Sequence, residues 1–116
     1  MQYKVGVSMY DRRQLLKGTL EGCILKIIEA EETYGYEIVS RLRRFGFEDA
    51  KEGTIYPILL RLEKKDLISS SYKASPLGPK RKYYRLTTGG GEVLLNFVEN
   101  WNQVKDTVDT ILKGDK

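Results

Sequence analysis

Histidine is absent from this chain of 116 residues. That removes both the commonest general base and the commonest metal ligand. Cysteine occurs once, as Cys23. A lone cysteine cannot close an internal disulfide, and without histidine it cannot complete a zinc site. Cys23 lies in an apolar run with Ile24 and Leu25, so it reads as a small core residue. A reducing cytoplasm fits such usage. Long apolar runs are missing too. Charges interrupt every helix-like stretch, so no membrane span is expected. Residues 1–10 are mixed and lack the apolar centre of a secretory leader. The glycine triplet Gly89, Gly90 and Gly91 lacks the spacing of a phosphate-cradling loop. These absences argue against an enzyme, and neither a metal nor a cofactor is expected.

What the chain does have is a modest apolar content and an uneven charge. Hydrophobic residues make up 41%, enough for one small core. A domain of this size is marginal alone, and dimerisation would bury more apolar surface. The formal net charge is +4. Residues 67–88 carry Lys73, Lys80, Arg81, Lys82 and Arg85 and no acid. Elsewhere the two signs nearly cancel. Focusing of this kind suits contact with phosphates better than a high overall isoelectric point would.

Apolar spacing predicts a helix over residues 11–30, with Leu16, Leu20, Cys23, Ile24, Ile27 and Ile28 on one face. Gly18 and Gly22 lie four apart on it. They either admit a neighbouring helix closely or are tolerated defects, and both readings stay open. Residues 31–35 form a connection. A second helix is expected over 36–45, stopped by Gly46. A third is expected over 54–65, with Thr54 as N-cap and Pro57 in the first turn. Its buried stripe is Ile55, Ile58, Leu59 and Leu62, which leaves Thr54, Tyr56, Leu60, Arg61 and Lys64 nearer the outside. A hairpin follows, with strands near 67–72 and 82–86 and turn material at 75–79. Lys80, Arg81 and Lys82 then stand at its tip. A last helix over about 90–113 carries Leu94, Phe97, Trp101, Val104, Val108 and Ile111 at spacings of three and four. That is the pattern of a coiled-coil seam.

The expected fold is mainly α, of the α+β class: a winged helix-turn-helix over residues 10–88, then a C-terminal dimerisation helix over 89–113. In such a fold the third helix enters a DNA major groove and the hairpin, or wing, reaches the flanking backbone. Thr54, Tyr56 and Arg61 have the chemistry for phosphate or base contacts, and Lys80, Arg81 and Lys82 for phosphates. Each has a plainer alternative. The basic tip can be a solvated loop, Tyr34 and Tyr36 half-buried packing residues, and Thr54 only a cap. The heptad stripe can close the chain's own core instead of a dimer seam. Trp101 can be core or can stack on a ligand. A winged-helix module that binds protein instead of DNA is the competing function.

Taken together, several segments resemble the PadR family of transcriptional regulators. They are residues 20–25 (LEGCIL), 34–38 (YGYEI), 53–59 (GTIYPIL) with Arg61, Leu62 and Glu63, and 78–84 (GPKRKYY) with Leu86, Thr87 and Gly90. The short C-terminal helix resembles the smaller subfamily. The resemblance implies a winged-helix homodimer that represses genes and is released by a small aromatic or drug-like effector. It carries DNA contacts to Tyr36, Thr54, Tyr56, Lys80, Arg81 and Lys82, to which the residue chemistry adds Tyr34 and Arg61. It places a dimer interface on the first and last helices, here Leu16 and Leu20 with Leu94, Phe97, Trp101, Val104, Val108 and Ile111. Trp101 is the candidate for effector contact. Two departures stand out. Thr54 replaces the family's usual serine, and Gly89, Gly90 and Gly91 replace residues that are commonly charged.

Overall fold

A computed structural model describes residues 11–114, and the expectation drawn for residues 1–10 lies outside them. The elements, in chain order, are α1 (Arg12–Leu16), α2 (Thr19–Ala30), β1 (Thr33–Tyr34), α3 (Gly35–Phe45), α4 (Glu52–Lys64), β2 (Ile68–Ser75), β3 (Gly78–Leu86) and α5 (Thr88–Leu112). The three strands form one antiparallel sheet in the order β1-β3-β2. This is the expected α+β winged helix. Among the described residues, no helix is long and apolar enough to cross a membrane.

The core draws on every larger element. Ile24, Leu25, Ile27 and Ile28 come from α2, Ile38, Val39 and Leu42 from α3, and Ile55, Ile58, Leu59 and Leu62 from α4. Ile68, Tyr84 and Leu94 close it from the wing and α5. The stripes expected for α3 and α4 point inward; on α2 Leu25 joins the core unexpectedly, while Leu20 and Cys23 are only half-buried.

Several local expectations are corrected. The first helix is not continuous. Gly18 takes φ 88°, a left-handed conformation open to glycine, and splits it into α1 and α2. Gly22 instead serves close approach: a Cβ there would lie 2.4 Å from the Phe97 ring. The two glycines thus answer the open question differently. The connection at 31–35 contains β1, because Thr33 and Tyr34 pair with Tyr84 and Tyr83.

Thr54 is not the N-cap of α4. The helix starts at Glu52 with Lys51 in the cap position, and the Thr54 N–H donates to the Lys51 carbonyl. The cause lies in the preceding loop. Arg43 Nε donates to the Ala50 carbonyl at 2.7 Å, Ala50 is buried, and Lys51 leaves extended. Pro57 therefore falls in the second turn, where its missing N–H leaves the Gly53 carbonyl without a helical partner. Gly53 is exposed, so water can serve that oxygen.

The strands also run further than expected. Ser75 pairs with Gly78, so the turn is only Pro76 and Leu77, and Leu77 is 99% exposed. Lys80, Arg81 and Lys82 consequently lie on β3, not at the tip. The register shifts between Lys73 and Ser75. The extra residue falls on β3, at Pro79 and Lys80, where a proline costs the ladder little.

The last helix begins earlier than expected, at Thr88, with Thr87 as its cap: Thr87 Oγ1 accepts from the Gly90 N–H at 2.9 Å. Of the three glycines at its start, Gly90 has a steric use. A Cβ on Gly90 would lie 2.0 Å from the Leu67 carbonyl oxygen. Backbone cannot yield there as a flexible side chain could. Gly90→Ala is expected to lower stability by about 1–3 kcal/mol, the usual scale of overpacking. Equilibrium denaturation of both chains measures it, and an unchanged midpoint would show that α5 shifts freely.

Candidate nucleic-acid interface

The helix-turn-helix is α3, the loop 46–51 and α4. Its turn is built by Gly46, which takes φ 125°, and by the Phe47 N–H, which donates to the Leu42 carbonyl at 2.9 Å. Burial of one stripe of α4 leaves the opposite side outward. Tyr56 is 42% exposed there.

Tyr56 reaches back toward the start of α3. A Cβ on Gly35 would lie 2.6 Å from its ring, so the glycine between Tyr34 and Tyr36 makes room for it. The result is an open groove of about 550 Å³ lined by Tyr34, Gly35, Tyr36, Tyr56, Arg81, Lys82 and Tyr84. Three segments distant in sequence meet in it. Tyr34 and Tyr83 pack edge to face at 5.3 Å between centroids. The Arg81 guanidinium lies 4.6 Å from the Tyr34 ring centroid and the Lys82 ammonium 5.5 Å from that of Tyr84. Partial burial pushes the Tyr56 and Tyr84 hydroxyls above the ordinary phenol value, helped for Tyr56 by the nearby Glu52 carboxylate. Both stay neutral donors at neutral pH.

Charge in the wing differs from what local sequence suggests. Residues 67–88 hold no acid, but the fold brings acids from elsewhere. Glu32, beside β1, takes both Lys73 and Arg85, the latter at 3.4 Å. Glu63, on α4, takes Lys82 at 2.9 Å. Among the described residues, Lys80 and Arg81 are left as the wing cations without an acidic partner.

The groove is basic and aromatic and lies between α4 and the wing. Residues 24–96 match the PadR-like family of transcriptional regulators. The chain belongs to that family. It is a DNA-binding transcriptional regulator with a winged-helix fold. A PadR-like regulator from Bacillus cereus strain ATCC 14579 is 53% identical, with a TM-score of 0.80 over 88% of this chain and 99% of that one. A PadR family regulator from Clostridium difficile R20291 is 38% identical, with a TM-score of 0.74 over 82% and 99%. An uncharacterized protein of Lysinibacillus sphaericus is 38% identical over 106 residues, 89% of this chain and 96% of that one.

In this PadR-like chain the residues singled out from sequence fall into three groups. Tyr34, Tyr36, Tyr56, Arg81 and Lys82 meet in the groove, with Lys80 exposed beside them. Thr54 and Arg61 do not enter it. They line a second cleft of about 650 Å³ on the other side of α4, together with Leu16 and Leu20. There Arg61 is held by Glu21 of α2 through two bonds of 2.7 and 2.9 Å. The third group is on α5. Leu94 is buried inside the protomer and Phe97 lies against Gly22. Beyond them Trp101, Val104, Val108 and Ile111 are 45%, 54%, 44% and 67% exposed.

Sequence reasoning missed Gly35, Tyr84 and Glu63 as parts of the site. Tyr84 was readable only as a strand residue, because β1 was not expected. Glu63 did leave a signal: it follows Leu59 by four residues and so borders the buried stripe of α4 with an acid. The Ser70 hydroxyl and the Lys82 ammonium hold its carboxyl below the ordinary value of 4.5. The Glu63 carboxylate in turn raises Lys82 above 10.5. For Glu63 the folded value is depressed, so its stabilisation is complete above the unfolded value and is lost as pH falls through the folded one. For Lys82 the folded value is raised, so loss comes only as pH climbs through it. The stability gap between the wild-type chain and Glu63→Gln is therefore expected to shrink on acidification from pH 7. Denaturant midpoints across that range test this, and a constant gap would refute it.

Proposed function

We propose that the chain is a homodimeric, cytoplasmic repressor whose α4 reads an operator while the wing grips the adjoining backbone. The observation that carries this reading is the groove itself. It joins Tyr56 of the recognition helix to Tyr36 of α3 and to Arg81 and Lys82 of the wing. Aromatic rings can pack on sugars and thymine methyls, and the cations can take phosphates. Lys80 and Arg81 supply most of the electrostatic attraction, since Lys82 must first leave Glu63. Replacing Lys80 and Arg81 together by Ala is expected to flatten the log–log salt dependence of DNA binding by about 2 units, and Lys82→Ala by less. Affinity measured at several salt concentrations reads both slopes. An unchanged slope in the double variant would sink the wing contact.

A second copy of the chain is the proposed partner of α5. The support is the exposed stripe of Trp101, Val104, Val108 and Ile111, flanked by Val93, Val98 and Leu112. Leu16 and Leu20, half-buried in the cleft lined by Thr54 and Arg61, would extend the seam. Residues 10–88 with the first turns of α5 then form the DNA-binding unit, and the remainder of α5 the dimerisation unit. Trp101 offers a flat apolar surface in that seam for a small aromatic or drug-like effector, whose binding would release DNA. Val104→Asp with Val108→Asp puts unpaired charge into the seam. Sedimentation of this variant should show monomers. A folded dimer that survives both changes would move the interface elsewhere.

A further inference from the structure

Glu63 lies in the last turn of α4, and its two oxygens go to different strands. One accepts from Ser70 Oγ on β2. The other accepts from Lys82 Nζ on β3 at 2.9 Å. Lys82 in turn lies near the Tyr84 ring, and both line the groove opposite Tyr56. A single carboxylate thus ties the recognition helix to both strands of the wing. Lys82 and Glu63 are 28% and 30% exposed at their side chains. A partly exposed pair of this kind adds only modestly to overall stability. What it restricts is direction: with two acceptors committed to two strands, the wing has little freedom to turn about α4.

We propose that Glu63 is a positioning residue for DNA recognition, holding Ser70 and Lys82 so that the wing and α4 meet their two grooves together. This rests on the DNA-binding reading above and deepens it. Helix and wing act as two linked contacts on one duplex, and linked contacts gain from being held at the right spacing beforehand. Simple charge predicts the opposite for this residue. A carboxylate near phosphates repels them, so removing it should tighten all DNA binding. Positioning and repulsion therefore differ in sign on specific DNA and agree on non-specific DNA.

The experiment uses the full chain and two probes: a duplex selected from a random library by the wild-type protein, and calf-thymus DNA. Glu63→Ala is expected to bind the selected duplex at least tenfold more weakly. Its affinity for calf-thymus DNA should be equal or higher, with a salt slope steeper by about 0.9 as Lys82 is freed for one more phosphate. Glu63→Gln can still accept from Lys82 and donate to Ser70, so it should recover most of the lost affinity. Ser70→Ala cuts one tie without changing charge. It should weaken the selected duplex alone, with no change in slope. If Glu63→Ala binds the selected duplex as tightly as the wild type or more tightly, the inference is overturned. If Glu63→Ala loses its melting transition, Ser70→Ala decides, and wild-type affinity there overturns it as well. Failure of the wild-type chain to select any duplex would instead overturn the DNA-binding reading on which the proposal rests.

Discussion

The backbone of Asp66 and Leu67 is where α4, both ends of the wing and the start of α5 meet. The Leu67 N–H ends α4 by donating to the Leu62 carbonyl at 3.0 Å. Asp66 takes φ 61° to make that turn. The wing leaves from this point and returns to it. The Thr87 N–H donates to the Leu67 carbonyl at 3.1 Å, and Thr87 Oγ1 donates to the Asp66 carbonyl at 2.7 Å. Gly90 then seats α5 on the same Leu67 carbonyl. Neither the wing root nor α5 can change its angle to α4 without breaking one of these contacts. Packed junctions of this kind move as units and do not deform continuously.

Much of this architecture was legible because it follows from periodicity. The stripes of α3 and α4 were read correctly, and that of α2 in part: Ile24, Ile27 and Ile28 are core, but Leu25 is buried outside the expected stripe, and Leu20 and Cys23 are only half-buried. The features that were not legible depend on tertiary contacts. β1 has two residues and exists only because β3 is beside it. The start of α4 depends on Arg43 holding Ala50 from seven residues away. The wing's length depends on where Pro76 and Leu77 can turn, and a five-residue stretch of turn formers did not reveal that only two of them do so. The roles of Gly22, Gly35 and Gly90 depend on Phe97, Tyr56 and Leu67. A sequence shows the missing Cβ but not the neighbour that requires it.

Charge was legible as composition but not as a field. A segment with five cations and no acid reads as a uniform positive patch. In the folded chain Glu32 and Glu63 neutralise three of the five, and Arg61 on α4 is turned to Glu21. Partly exposed pairs like these cost little to form and add little stability. Their consequence is selective. They leave Lys80 and Arg81 as the open cations and concentrate attraction along one stretch of β3. A wing with fewer open charges depends less on counterion release and more on shape for its share of affinity.

Helix α5 has two parts with different surroundings. Its first turns complete the protomer through Leu94 and Phe97. Past Phe97 the same three-and-four repeat continues with nothing in the protomer to meet it. Residues 104–111 are also poor in intrinsic helix formers, with Val104, Thr107, Val108, Thr110 and Ile111 all β-branched. An isolated helix of such residues is marginal in water, because nucleation is costly and propensity weak. The continuation of α5 to Leu112 therefore gains little from propensity, and packing from outside the chain would stabilise it. In the proposed homodimer a second copy of the same stripe would supply that packing, with Trp101 and the valines in the seam. In that proposed arrangement the exposed stripe would be half of an interface, and assembly would support the helicity of the segment.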